Sequence, residues 1–280
     1  MSSAFDLLEA IDVVDPYPLW QSLLDGPPHV APDGSFALVT RHEDCAALLR
    51  HPDMSSDHRN SDHFKNVRRP QLTQQDLESI EKREVFLFRD PPVHTRLRRL
   101  VAKAFTPRQV QQLQPFIEKR TRELIDAAAE HGRLELVADL AYPLPVAVIS
   151  ELLGVPHEDH ATFAGWSEVL AKSLDRLMSE PTPEQVEENR TASDEFRAYF
   201  EALAEQRRRE PRDDMLTGLV QAEEEGDRLT MDELTSTALL LLVAGHETTV
   251  SLIGNAMLAL LRVPGLLDRV RADPALAEGV

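Results

Sequence analysis

The stretch TMDELTSTALLLLVAGHETT, residues 230–249, decides how this chain folds. Thr230 and Glu233 stand three apart at its start, the spacing of a capping box in which side chain and backbone satisfy each other at a helix N-terminus. No proline interrupts the apolar pattern from Met231 to Leu261. That predicts a helix about 46 Å long at 1.5 Å per residue. Leu239–Ala244 is apolar on every side, so the centre of this helix is expected to be buried. A buried helix of such length implies that other helices pack around it.

Gly245, His246, Glu247, Thr248 and Thr249 follow directly. On folding grounds they are a poor choice there. A mid-helix glycine costs about 1 kcal/mol relative to alanine, and β-branched threonines lose rotamer freedom. A buried carboxylate costs several kcal/mol unless it is paired. Residues that oppose the element they occupy tend to mark function. Gly245 permits close approach of a ligand, and a threonine hydroxyl competing for backbone bonds is expected to open the helix locally. His246-Glu247 also begins the zinc-protease pattern H-E-x-x-H, but the second histidine would be residue 250, which is Val250, and that reading fails. A packing kink with a solvated glutamate remains open.

The second informative stretch is FLFRDPPVHTRLRRLVAKAF, residues 86–105. Asp90 is expected to cap a helix over 91–105, with Pro91 and Pro92 in the first turn, where their missing N–H groups cost nothing. Leu97, Leu100, Val101 and Ala104 then share one face, and face the core. His94 and Arg98, four apart, lie on one edge, while Arg96, Arg99 and Lys103 line another. A histidine and an arginine so placed suit a ligand with carboxylates, since the guanidinium offers a planar donor fork. A solvated basic face is the alternative.

Around these stretches the remaining pattern is mainly α with a small β-sheet near the N-terminus. A short helix carries Leu19, Trp20, Leu23 and Leu24. His29–Val30 and Phe36–Val39 form a hairpin across Pro32-Asp33-Gly34. Thr40 is expected to cap a helix over Arg41–Leu49. Residues 53–84 lack periodicity and read as a long mobile loop with one short helix, the kind that serves as a lid or binding loop. Further helices are expected at 107–130, 145–153, 158–179, 184–208 and 212–224, with a short strand at Leu134–Val137. Asp273-Pro274 opens another helix six residues before Val280.

The formal charge of −18, from 30 basic and 48 acidic residues, argues against general nucleic-acid binding and against anionic membranes. Cys45 is the single cysteine, so an intrachain disulfide and a cysteine-rich metal site are both excluded. Met1–Glu9 has no basic region followed by an apolar run, so no secretory signal is visible. Ala238–Gly245, the longest apolar run, is too short to span a bilayer. The expectation is a soluble cytoplasmic protein.

DPPVHTRLRRLVAKAFTP, residues 90–107, resembles the C-helix signature of bacterial cytochromes P-450, and AGHETT, residues 244–249, resembles that family's I-helix motif. FALVTRHEDCAALLRHPDMSSD, ELLGVP and DDMLTGLVQAEEEGDRLTMDEL also resemble the family, so the likeness covers nearly all 280 residues. The resemblance implies one P-450-like domain over residues 1–280 and haem b as cofactor. It implies insertion of one atom of dioxygen into a hydrophobic organic substrate. His94 and Arg98 would hold the haem propionates, facing the same cavity as Ala244 and Gly245, which flank the oxygen pocket. Glu247 and Thr248 would deliver protons to dioxygen, with Thr249 structural. Arg96, Arg99 and Lys103 would receive an acidic ferredoxin- or flavodoxin-type carrier served by an NAD(P)H-dependent reductase. Substrate choice would rest on residues 55–88 and 163–200, with Val85, Phe86, Leu87, Leu241 and Ala244 lining an apolar pocket.

The family's axial cysteine and its E-x-x-R pair have no counterpart in these residues. Cys45 sits at an inward-looking helical position without a glycine-rich turn and reads as a small buried hydrophobe. No metal ligand is therefore assigned, and the chain is expected to stop before the E-x-x-R helix and the cysteine loop, which would lie beyond Val280. Two other functions stay in view. One is a helical remnant with only a protein-interaction role. The other is a non-oxidative binder of haem or another small ligand, with His246 or His94 as axial ligand.

Overall fold

The computed structural model describes residues 17–24, 26–30, 37–74, 77, 85–175, 182–224 and 226–279. Contacts divide the chain into two units, residues 1–80 with 88–90, and residues 81–87 with 91–280.

In the first unit, helix α1 (Tyr17–Leu23) precedes strands β1 (His29–Val30) and β2 (Ala37–Leu38), which pair antiparallel with His29 opposite Leu38. The expected hairpin turn at 32–34 lies outside the described residues. Helix α2 (His42–Leu48) opens at Arg41 without a side-chain cap. Thr40, expected to be that cap, instead donates its hydroxyl to the Leu23 carbonyl at 3.0 Å, tying α1 to the strand exit. Cys45 Sγ lies 3.4 Å from the Val39 carbonyl oxygen. Within the stretch read from sequence as a long loop with one short helix, His58–Asn60, Phe64–Arg68 and Arg69–Gln71 form three short helical turns. Asp90 does not cap the following helix. Its carboxylate accepts from Ser56 N at 3.0 Å and Asn60 Nδ2 at 2.9 Å, and from the Ser55 hydroxyl. These bonds hold the Asp90 carboxyl below the usual carboxylate range, the Ser55 bond most of all.

The second unit is almost wholly helical. It contains α3 (Val93–Ala104), α4 (Pro107–Gln112), α5 (Gln114–Glu130), α6 (Pro143–Leu153), α7 (His160–Asp175), α8 (Pro183–Arg209), α9 (Met215–Gln221), α10 (Met231–Arg262) and α11 (Leu266–Ala272). The helix expected over 107–130 breaks at Leu113, with Thr106 and Gln109 forming a capping box for the first piece and Pro115 opening the second. Leu134–Val137 is not a strand. Glu135 N-caps a π-helical turn over Leu136–Ala141, so its carboxylate organises local helix rather than an extended ladder. The helix expected over 212–224 is shorter, because Asp214 caps it and Glu223–Glu224 leaves it to pair with Asp227–Arg228 (β3 and β4). Gly226, at φ 83°, supplies the turn. Beyond Asp273, Pro274–Gly279 is a 3₁₀ helix.

One continuous core joins α3, α6, α7, α8, α9 and α10. Leu97, Leu100, Val101 and Ala104 of α3 pack with Leu153, Phe163, Phe196, Phe200, Leu216 and Leu242. Gly218 of α9 allows the approach to α3, since a Cβ there would meet Ala104 Cβ at 3.1 Å. Among the described residues Arg207 is the largest fully buried side chain, and it is paired. Its Nε contacts Asp214 Oδ2 at 2.6 Å, and its Nη2 donates to the Gly154 carbonyl at 2.7 Å. This pins α8, α9 and the end of α6 together. Gly154, at φ 72°, is required twice, since its conformation is left-handed and a Cβ would collide with Asp214.

Helix α10 begins with the expected capping box, and Leu234–Ala238, Leu242, Val243 and His246 are buried. The expectation of burial all round is only partly met. Leu240 and Leu241 are half-buried and Ala244 is exposed. The expectation from apolar runs also needs amending. Leu136–Leu153 and Met231–Arg262 are each long and apolar enough to cross a bilayer by length and composition, because alanines, valines and isoleucines between the leucines keep the mean hydropathy high across the short runs. Both stretches contribute side chains to the core.

Candidate functional site

The site expected from sequence rests on two helix edges. On α3, Leu97, Leu100, Val101 and Ala104 turn inward and fix which edges remain outside. His94 lies on one side, half-buried, its ring 6.1 Å from that of Phe86. Arg98 is exposed on the same side. Among the described residues neither makes a hydrogen bond or an ion pair. The other edge is committed. Arg96 pairs with Asp227 at 3.1 Å and with Glu233, and Lys103 Nζ donates to the Glu223 carbonyl at 2.9 Å. Arg99 is not without a partner either, so the open basic edge expected of Arg96, Arg99 and Lys103 is corrected: its cations are engaged within the protein. The β3–β4 hairpin, which the sequence did not disclose, brings carboxylate and carbonyl acceptors against α3. A cavity of about 740 Å³ lies along this edge, lined by Pro92, Thr95, Arg96, Arg99 and Asp227.

On α10 the AGHETT residues divide between faces. Ala244 and Thr248, four apart, are exposed together, with Leu241 half-buried beside them. Gly245 faces α6 instead, where a Cβ would stand 2.9 Å from Ile149 Cδ1. Its small size serves close helix packing. Thr248 Oγ1 donates to the Ala244 carbonyl at 2.5 Å and Thr249 Oγ1 to the Gly245 carbonyl at 2.8 Å. The threonines therefore do bond back to the helix, but α10 stays helical from Met231 to Arg262 and does not open at Gly245. Glu247 is half-buried. Phe86 packs against the core, Val85 is half-buried and Leu87 is 52% exposed.

His246 points the other way, into the core. It is fully buried, with Nδ1 2.9 Å from Ser167 Oγ of α7 and its ring edge-on to Tyr142 at 4.4 Å. Burial holds its imidazole below the usual value, opposed by the Tyr142 backbone, so it is neutral at pH 7. An axial-ligand role for His246 on the Ala244 face is thereby overturned. Ser167 and Tyr142 were not foreseen. They are distant in sequence, and the only hint was a histidine set in an apolar helix.

Two features of this chain suit a flat apolar ligand bearing carboxylates. One is a pair of uncommitted cationic or hydrogen-bonding side chains at i, i+4 on α3. The other is a small-residue strip, Ala244 to Thr248, left uncovered on the apolar helix α10. Among the described residues no cluster of three or more metal-ligating side chains occurs.

The family model for cytochrome P450 matches residues 34–275. The chain is 40% identical over 272 residues to cytochrome P450 monooxygenase PikC of Streptomyces venezuelae, covering 95% of this chain and 61% of that protein. It is 36% identical over 275 residues to the vitamin D(3) 25-hydroxylase of Pseudonocardia autotrophica, covering 97% and 64%. Ligand-free CYP164A2 of Mycobacterium smegmatis superposes with a TM-score of 0.82 at 41% identity, covering 98% of this chain and 67% of that one. The chain spans about three-fifths of the length of the curated relatives it matches. A family match over most of its length establishes that the chain belongs to the cytochrome P450 family.

Proposed function

We propose that the protein serves a haem-dependent monooxygenase that inserts one atom of dioxygen into a hydrophobic organic substrate. Haem b is the cofactor of this family. When bound it supplies the redox chemistry that activates dioxygen. The observation that carries the reading is the uncommitted pair His94 and Arg98, on the one edge of α3 that the β3–β4 hairpin leaves free.

His94 and Arg98 would hold the haem carboxylates through charge-assisted hydrogen bonds. Ala244 would keep the α10 strip low enough for the ring and dioxygen, while Gly245 holds α10 against α6. Thr248 donates its hydroxyl to the Ala244 carbonyl, which leaves its oxygen able to accept a hydrogen bond; to relay a proton the hydroxyl would turn from that carbonyl, taking a proton from Glu247 as it gives up its own. Glu247, half-buried beside it, would connect that hydroxyl to solvent. Phe86, Val85, Leu87 and Leu241 would supply apolar walls. A relative named for hydroxylating vitamin D(3) supports a hydrophobic substrate class. Enzymes of the family work with a substrate, dioxygen and a redox partner. An acidic ferredoxin- or flavodoxin-type carrier with an NAD(P)H-dependent reductase would dock along the α3 edge that carries Arg96, Arg99 and Lys103, in competition with the contacts those side chains already make within the protein. A cytoplasmic setting fits a protein with one unpaired thiol.

The test is Thr248→Ala in the haem-loaded protein. General acid–base groups contribute about 10²–10⁴-fold, so product per electron should fall while haem and substrate binding persist and peroxide accumulates. Unchanged product per electron would return Thr248 to a helix-packing role.

A further inference from the structure

A cleft of about 430 Å³ lies between α5, α6 and α7, and none of its lining residues belongs to the site proposed above. Helix α6 packs against both of the others and forms the floor. Pro143, Val146, Ala147 and Ser150 recur there at the spacing of one helix face. The buried Ser150 hydroxyl donates to the Val146 carbonyl at 2.9 Å, so the floor offers no free side-chain donor. Rings stand on both flanks. Phe116 belongs to α5, and on the α7 side the His157 and His160 rings stack 5.0 Å apart at 23°. Ala161 and Ala164 keep the α7 flank shallow.

The charged groups of the lining are unevenly placed. Lys119 and Arg120 of α5 share one carboxylate, Glu123, at 3.7 and 3.1 Å. Neither has another partner among the described residues, so most of their N–H donors are unspent. Arg120 is half-buried and held by Glu123, which leaves its planar fork already oriented. Glu151 of α6 also lines the cleft without a partner among the described residues, and it would suit a cation. It is exposed, however, where an ion pair contributes little. His160 Nε2 lies 3.0 Å from the Val155 carbonyl oxygen, so only its Nδ1 remains for a ligand.

We propose that this cleft is a binding site for a small aromatic carboxylate. The acid group would meet Arg120 and Lys119, supplying the second acceptor that two cations sharing Glu123 leave open. The ring would lie on the apolar floor between Phe116 and the histidine pair, where offset and edge-on contacts are both on offer. A volume of about 430 Å³ is near the lower end for ligand pockets and holds one or two fused rings. The site is independent of the monooxygenase reading and needs no haem.

The test is a ligand-observed NMR titration of the full chain with 1-naphthoate, with 1-naphthylmethanol as its uncharged match and 1-naphthylmethylamine as its cationic one. Naphthoate should bind saturably with a Kd on the order of 0.1–1 mM. Arg120→Gln removes one charge-assisted contact, so it should weaken naphthoate about tenfold and leave naphthylmethanol unchanged. Ala147→Leu on the floor and Ala161→Leu at an exposed position should each fill the cleft and weaken both probes, the second without putting folding at stake. Arg98→Ala should leave naphthoate binding as it is, which separates this cleft from the proposed haem carboxylate site. The proposal is overturned by the absence of saturation at about 5 mM naphthoate, or by tighter binding of the amine than of the acid. It is equally overturned if Arg120→Gln costs the acid nothing or costs acid and alcohol alike, if Arg98→Ala abolishes binding, or if both leucine variants bind undiminished.

Discussion

Ser167 Oγ and His246 Nδ1 meet at 2.9 Å across α7 and α10, both side chains fully buried. This contact fixes the rotation of α10 about its own axis. With His246 turned into the core, Ala244 and Thr248 necessarily face out on the opposite side of the helix, and Gly245 falls against α6.

The same contact makes stability depend on pH. Burial lowers the His246 pKa in the folded protein below its ordinary value of 6.5. The unfolded chain therefore binds the extra proton first as pH falls. Stability is complete above the unfolded value and is lost on acidification through the window below it, by up to about 1.4 kcal/mol per pH unit. Urea unfolding at pH 7.5 and at pH 5.5 should show this slope, and His246→Gln should flatten it. An unchanged slope would place the proton uptake elsewhere.

Arg207 and Asp214 form a buried ion pair in the helical unit, with 1% and 7% of their side chains exposed. Removing the cation leaves a buried carboxylate and the Gly154 carbonyl without their partner. Arg207→Met should cost about 3–5 kcal/mol in chemical denaturation. A loss below about 1 kcal/mol would mean that Asp214 finds water.

Gly245 and Ile149 test whether the glycine serves packing. Gly245→Ala gains about 1 kcal/mol of helix propensity and loses a comparable amount to the clash with Ile149 Cδ1. Ile149→Val removes the clashing methyl. In a double-mutant cycle the two changes should be coupled favourably by at least about 0.5 kcal/mol. Simple additivity would mean that the helices separate without cost.

Both decisive helices were legible in the sequence because their signals are local. The capping box at Thr230 and Glu233, the inward periodicity of α3 and the i, i+4 spacing of His94 and Arg98 all lie within a few turns. What escaped reading depends on partners far along the chain. Asp90 has the form of an N-cap, but its carboxylate is drawn 30 or more residues back to Ser55, Ser56 and Asn60. Arg96 looked like surface until Asp227 and Glu233, more than 130 residues on, were placed against it. The β3–β4 hairpin has two-residue strands of charged side chains, too short for alternation to show. The Ser167–His246–Tyr142 cluster joins three elements and has no local signature.

Haem affinity of the haem-loaded protein, compared between Arg98→Ala and Arg99→Ala, tests the central claim most directly. The two arginines are neighbours in sequence but stand on different edges of α3, so they separate a cofactor site from a merely basic helix. A charge-assisted contact contributes about 1.5–3 kcal/mol, and for the exposed Arg98 the lower end applies, about tenfold in affinity. Arg98→Ala should weaken haem binding by that factor and more when His94→Ala is added, while Arg99→Ala leaves it unchanged. Equal losses from Arg98→Ala and Arg99→Ala, or none from either, would contradict a haem site built on His94 and Arg98.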